Sequence, residues 1–370
     1  MLKEVGAEYI EAELDLIGFD KSRIDAAACK FRCKNIKIYG LTSPQANILK
    51  QTALSLGADC AVNRNVVTGE VKKSDAILCG NLSQLKKIAE KLKVQPFGLK
   101  ILADNINGFI ESKPPVRTKL AGILNITPDS FSDGGKYFEP QKAQQHLIEL
   151  IQDGADLIDI GAESTRPYSE PVEPDEQIRR LKPIFDFIKK ENIKVQISVD
   201  TKSSKTAEFV LDNGAAIIND VAGFDFDSKM PEVIAKYQGG VIIGHSNGRA
   251  ESTPSYKNII EDTGFYLKNK IEAAQSYGIK NIIADPGIGF GKTREDNFNI
   301  LRRIKELDFL KCPVMVGVSR KRLLNAPDAD NNLKDILSCA LAYSLILQGV
   351  DYLRVHNVKM HKQILNSLPV

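Results

Sequence analysis

What this 370-residue chain lacks narrows its possible functions first. No apolar run approaches the roughly 20 residues that a membrane-spanning helix needs, so no membrane partner is expected. Net charge is small, +3 from 50 basic and 47 acidic residues. A nucleic-acid footprint needs a clustered excess of Lys and Arg, so no such partner is expected either. Cysteines are few and scattered, at Cys29, Cys33, Cys60, Cys79, Cys312 and Cys339. Cys29 and Cys33 lie four apart, without the second Cys/His pair that would complete a zinc site. Reduced structural thiols in a cytoplasmic protein are the expectation. The opening stretch MLKEVGAEYIEAELDL is acidic and amphipathic, not a basic-then-apolar targeting pattern. The Walker spacing of a phosphate loop and the Gly-rich dinucleotide fingerprint are both missing.

What is present reads as an ordinary folded chain, 43% hydrophobic and 26% charged. Its length suits one large domain plus one small one. The stretch ESKPPVRTKL, with two consecutive prolines, is the best boundary. Residues 1–112 are predicted to form a small α/β domain. In it IKIYGL and DAILCG are strands, and SPQANILKQTALSLG and LSQLKKIAEKLK are helices. Residues 117–370 alternate short apolar strands with helical segments, eight of each. Strands apolar throughout are buried on both faces. Eight βα units in about 250 residues fit a (β/α)8 TIM barrel, with a doubly wound open sheet as the alternative.

In such a barrel the C-terminal strand ends form the active face. Those predicted ends carry Asn125 and Asp129; Glu163, Thr165 and Arg166; Asp200 and Thr201; Asn219 and Asp220; His245 and Asn247; Asp285; Ser319, Arg320 and Lys321; Arg354 and His356. Any one could be a helix cap, as Asp200-Thr201 before SSKTAEF could be. Polar groups at eight strand ends together argue for an enzyme, because buried charges need partners. Asp200, Asn219, Asp285 and Lys321 can read a flat heterocycle, since a carboxylate accepts paired N–H bonds from an amidine-like edge. Asn125, Thr165, Arg166, Arg354 and His356 suit a phosphate or diphosphate. The three glycines of DPGIGFGK could cradle phosphate. A turn that brings backbone close to a flat ligand, with Phe290 as an aromatic wall, is the preferred reading.

Seven stretches occur in order, one per strand end: GILNITPDSFSDGG, DLIDIGAESTRP, ISVDT, IINDVAG, DPGIGFGK, GVSRKR and RVHNV. Through them the chain from about Val116 onward resembles dihydropteroate synthase, the folate-pathway family with a (β/α)8 barrel. The leading segment is similar to an extension found in some members. The resemblance implies condensation of 6-hydroxymethyl-7,8-dihydropterin diphosphate with p-aminobenzoate, giving 7,8-dihydropteroate and diphosphate. It implies that Asp200, Asn219, Asp285, Lys321 and Arg354 bind the pterin. Asn125, Thr165, Arg166, Arg354 and His356 would hold the diphosphate, with Mg2+ at Asn125. Pro128, Phe131, Phe290, Lys321 and Arg322 would shape the p-aminobenzoate site. Asp129, Arg166, Lys321 and Arg354 would carry catalysis, with the TPDSFSDGG and STRPYSEPVEP loops as a lid that excludes water. The resemblance also implies a homodimer and competition by sulfonamide-type compounds.

Three departures stand out. Gly244 and Ser246 replace two methionines usual in the family, which should widen or polarise a pocket wall. Ala162 stands where glycine is usual, and Asn357 where aspartate is usual, removing a negative charge beside His356. Two other function classes use related folds. A pterin-dependent methyltransferase would not need the diphosphate-facing motifs, all of which are present. A non-catalytic pterin-binding module would have lost Asn125, Arg166, Lys321 or Arg354, and none is lost.

Overall fold

A computed structural model describes residues 2–110, 117–127, 140–163, 172–246 and 255–368. The chain divides into two compact units, Met1–Pro114 and Pro115–Val370. Among the described residues no helix is long and apolar enough to cross a membrane.

In the first unit an antiparallel sheet has the order β1-β3-β2, with β1 Cys33–Thr42, β2 Asp59–Val62 and β3 Lys73–Asn81. Two short helices, α1 Ile10–Leu16 and α2 Ile24–Ala28, precede it; α3 Ser43–Leu54, α4 Leu82–Leu92 and α5 Leu99–Ile110 supply its core. Helices α3 and α4 begin where sequence chemistry dictates. Thr42 with Gln45, and Asn81 with Gln84, form reciprocal capping boxes that satisfy the first backbone N–H groups. Along β3, alternate residues Ser74, Ala76, Leu78 and Gly80 are buried, and this face packs on Leu49, Leu85, Ile88, Leu99 and Ile106. Four elements go beyond the sequence expectation: α1, α2, β2 and α5. β2 has only four residues, too few for a periodicity signal. α5 opens after the Phe97-Gly98 turn, and its buried Leu99, Ala103, Ile106 and Ile110 do follow helical spacing.

The second unit is a parallel barrel with order β10-β11-β4-β5-β6-β7-β8-β9. Its strands are β4 Lys119–Asn125, β5 Leu157–Gly161, β6 Gln196–Asp200, β7 Ile217–Asp220, β8 Gly240–Gly244, β9 Ile282–Asp285, β10 Met315–Val316 and β11 Tyr352–Val355. An Ala284–Val314 bridge joins the two ends of that order. Described helices between or after the strands are α6 Pro140–Gln152, α7 Pro174–Lys190, α8 Ser204–Asp212, α9 Met230–Lys236, α10 Ile259–Ser276, α11 Arg294–Arg302, α12 Asn331–Leu347 and α13 Val358–Ser367.

Strand alternation positions the site. Side chains two residues apart face the same side. One end of the barrel interior is an apolar plug of Ala121, Leu157, Ile217, Ile242, Ile283 and Met315. Two residues further along three of these strands stand Asp159, Asn219 and Asp285, all buried. The same faces that seal the N-terminal end therefore turn polar toward the C-terminal end.

Candidate active site

Asp159 is the hub of that polar layer. Its Oδ1 accepts from Ser198 Oγ at 2.6 Å, and its Oδ2 accepts from Asn219 Nδ2 at 2.9 Å. Arg354, from β11, donates to the same Oδ2 at 3.5 Å and to Asp285 Oδ2 at 2.8 Å. Four strands thus contribute to one network around Asp159, and Arg354 carries it on to β9. An ionised carboxylate only accepts hydrogen bonds, so Asn219 must present its amide nitrogen to Asp159. Its Oδ1 is left buried and without a partner. A buried acceptor in this state costs stability until a donor arrives, which makes it a candidate ligand contact. Gly317 makes room for the guanidinium, since a Cβ there would lie 3.2 Å from Arg354 Nε.

Asn125, Gly161, Asp200 and Asn219 lie side by side in register at the ends of β4 to β7. Gly161 leaves space in this row, because a Cβ would approach Asn125 Oδ1 to 3.1 Å. Burial, followed by the charge of Asp159, pushes the Asp200 carboxyl up to about 8, although Arg354 counters it. At neutral pH Asp200 can therefore donate as well as accept. It is not a helix cap: Ser203 caps α8, and Thr201 bonds Gln177 instead.

Asp285 begins the Gly-rich turn. Its Oδ1 accepts from Gly287 N at 2.7 Å, and Asn297 Oδ1 accepts from Gly289 N at 2.7 Å. With those two N–H groups already bonded, the turn is not built as a phosphate cradle. It carries Phe290, whose ring lies 4.8 Å from the Lys321 ammonium. Lys321 Nζ also donates to Ile288 O. Burial and the nearby Arg354 lower the Lys321 ammonium to about 7.

Other residues singled out from the sequence divide. His356 Nδ1 lies 3.0 Å from Ser319 Oγ, linking the ends of β10 and β11. Arg320 is committed to a bidentate pair with Asp335 at 2.8 and 2.9 Å. Arg322 is exposed at the start of a short turn. Asp220 is buried and holds its own loop by accepting from Ala222 N and Phe224 N. His245 is buried, and burial with the nearby Lys292 lowers its imidazole to about 3, so it is neutral. Pro128, Asp129, Phe131, Thr165, Arg166 and Asn247 lie outside the described residues.

Two of the departing residues, Gly244 and Asn357, have physical explanations in the fold. A Cβ on Gly244 would stand 2.7 Å from Val221 Cα and 2.8 Å from its carbonyl oxygen. Backbone already occupies the start of the expected side chain's path, so replacing methionine by glycine has not simply opened a void there. Asn357 donates to Asp335 at 3.1 Å and caps α13 through Met360 N. An aspartate would repel Asp335 at that spot. Asp159 and Ser198 escaped the sequence reading, which scanned strand ends alone. The available signal was a lone Asp inside the otherwise apolar strand LIDIG.

Residues 121–356 match the model of the pterin binding enzyme family. A dihydropteroate synthase from Clostridium beijerinckii is 43% identical over 251 residues, covering 65% of this chain and 90% of that protein. A bifunctional dihydropteroate synthase/dihydropteroate reductase from Helicobacter pylori is 31% identical over 369 residues, covering 98% of this chain and 96% of that protein. A probable bifunctional folylpolyglutamate synthase/dihydropteroate synthase from Haloferax volcanii is 33% identical over 347 residues; 85% of this chain is matched, but it spans only 40% of that protein's length. The solved dihydropteroate synthase from Clostridium difficile, determined in the presence of pteroic acid, superposes with TM-score 0.64 at 38% identity, covering 69% of this chain and 97% of that one. The Yersinia pestis enzyme in a sulfonamide drug complex gives TM-score 0.63 at 33% identity, covering 68% and 92%. On this family match and these likenesses, the chain belongs to the dihydropteroate synthases, pterin-binding transferases of folate biosynthesis.

Proposed function

We propose that this chain joins 6-hydroxymethyl-7,8-dihydropterin diphosphate to p-aminobenzoate, releasing diphosphate and forming 7,8-dihydropteroate. The observation that carries this reading is the buried Asp159–Asn219–Arg354–Asp285 network, with its unpartnered Asn219 Oδ1. A carboxylate and an amide oxygen at the inner end of a barrel mouth suit the donor-rich edge of a 2-amino-4-oxo ring. Asp285 and Asn219 grip that edge, Asp200 and Lys321 bond further ring positions, and Arg354 lies against the ring.

In this reading the carbon–oxygen bond to diphosphate breaks, and both electrons leave with the diphosphate. The pterin keeps a delocalised cation. The amine lone pair of p-aminobenzoate forms the new carbon–nitrogen bond, and the nitrogen then gives up a proton to water. No strong base is needed, because the electrophile is already cationic. Thr165, Arg166, His356 and Asn125 serve the diphosphate, with Arg354 beside them. Phe290, Lys321, Arg322, Pro128 and Phe131 serve the arylamine, where sulfonamide-type compounds would compete. Asp129 belongs to the lid that keeps water from the cation.

Magnesium fits the donor chemistry. It takes oxygen ligands, keeps water and is commonly held through substrate phosphates. Asn125 offers one amide oxygen. Among the described residues no group of three His, Cys, Asp or Glu side chains could hold an ion alone. The ion would therefore arrive with the diphosphate, whose leaving charge it neutralises when bound.

A homodimer is supported by α12, where Leu333, Ile336, Tyr343 and Leu347 are exposed along one helical face. A second reading concerns the first unit. The Helicobacter relative matches this chain almost end to end and is named a synthase and reductase, so reduction of dihydropteroate is a candidate second activity. The deciding assay mixes protein, Mg2+, dihydropterin diphosphate and p-aminobenzoate, then follows dihydropteroate by mass and diphosphate release. Equimolar products support the reading. Folded protein that yields neither refutes it.

A further inference from the structure

We infer that Lys292 is a positioning residue for the arylamine half of the site, tying the end of β8 to the Gly287–Phe290 turn and so holding Phe290 against Lys321. This rests on the proposed placement of the arylamine between Phe290 and Lys321. Lys292 Nζ donates to three backbone oxygens: His245 O at 3.0 Å, Gly287 O at 2.9 Å and Phe290 O at 3.1 Å. An ammonium has three N–H groups and no acceptor, so these bonds use it completely.

The need for such a tie is visible in the packing. The turn comes so near β8 that a Cβ on Gly287 would lie 2.0 Å from His245 O, and Gly287 itself has φ +66°. Two carbonyl oxygens, from residues 245 and 287, converge on the same small volume. Without a cation between them, His245 O would lose its described donor in a buried site, and Gly287 O would keep only the N–H of Phe290 at 3.2 Å. The other contacts of the turn pull elsewhere: Asp285 holds Gly287 N, Phe290 N bonds Gly287 O, Asn297 holds Gly289 N, Lys321 holds Ile288 O, and Tyr256 Oη donates to Gly291 O at 3.2 Å. None of them reaches the Phe290 carbonyl. Lys292 is not an ion-pair staple, since no carboxylate lies within salt-bridge distance among the described residues; burial, only partly offset by Asp285, lowers its ammonium to about 7, and the three carbonyl oxygens are what hold it in place.

The two halves of the site should respond differently. Asp285 sits on β9, where its carbonyl accepts from His245 N at 3.0 Å and its carboxylate is held by Arg354. Phe290 lies five residues beyond, off the strand. Loss of the tie should therefore displace Phe290 before it displaces Asp285.

The test compares wild type with Lys292→Met and Lys292→Gln, measuring both KM values and amide hydrogen exchange across residues 287–292. The Gln variant keeps two N–H groups and serves if the Met variant does not fold. The expected result is a rise of roughly tenfold or more in KM for p-aminobenzoate. KM for the pterin diphosphate should stay within about twofold, with faster exchange in the turn and a smaller effect in the Gln variant. Equal rises in both KM values, or unchanged exchange, would overturn the inference. A folded wild-type protein with no synthase activity would refute the proposed function instead, and hydrogen exchange would still decide whether Lys292 holds the turn.

Discussion

Asn219 gives its amide nitrogen to Asp159 Oδ2 at 2.9 Å and keeps its own oxygen buried and unpaired. The carboxylate thereby decides which end of the amide stays open. Asp159→Asn removes that instruction, because an amide can face another amide either way. The variant is expected to lose about 1–3 kcal/mol of stability. Its KM for the pterin diphosphate should rise on the order of tenfold, with a smaller change for p-aminobenzoate. Thermal melts and paired KM measurements check this. An unaltered pterin KM in a folded variant would remove Asp159 from the site.

Gly244→Met restores the residue usual in the family. In this chain the new Cβ would press on the Val221 backbone at 2.7 Å. Overpacking of this kind costs about 1–3 kcal/mol, so the variant should melt below the wild type. A variant that melts higher would show that a pocket wall had been left unfilled after all.

Asp200 sets a pH dependence. The folded protein holds its proton up to about pH 8, whereas an unfolded aspartate releases it near about pH 4. Between those values the folded state binds more protons, so this group makes stability fall as pH rises. Lys321, lowered to about 7, acts the other way above that pH, where the unfolded state binds more protons. Asp200→Asn isolates the first effect. The melting temperature of the variant relative to wild type should climb from pH 5 to pH 8. A difference that stays flat would mean that Asp200 is ionised throughout.

The exposed stripe on α12 predicts self-association. Ile336→Asp together with Tyr343→Asp should convert a dimer into a monomer in sedimentation velocity, with little change in the melt at low concentration. A wild-type protein that is monomeric at micromolar concentration would end the dimer reading.

Much of the barrel could be read directly. Continuous apolar strands, spaced by helices, admit few architectures, and polar residues recurring at the strand ends pointed to the face where the buried polar network gathers. Asp285, Asn219, Arg354 and Lys321 were legible for that reason. Asp159 was not, because it sits inside LIDIG and looks like an exception in an apolar strand. Lys292 was legible only as the end of a Gly-rich motif. Asn357 and Arg320 were placed beside the site by sequence proximity, but their side chains meet at Asp335 instead.

The sequence alone determined the element pattern, the rim of polar strand ends and the family, because hydrophobic period and motif order are local properties of the chain. Only the tertiary structure decided how those side chains pair. Asp159 meets Arg354 across 195 positions of chain, and which end of Asn219 remains open follows from its bond to Asp159 across 60. The 2.0 Å approach at Gly287 and the backbone that fills the space beside Gly244 likewise exist only once β7, β8 and β9 lie side by side. Sequence carries residue chemistry, but a carboxylate acquires its function from the donors that closure of the barrel brings to it.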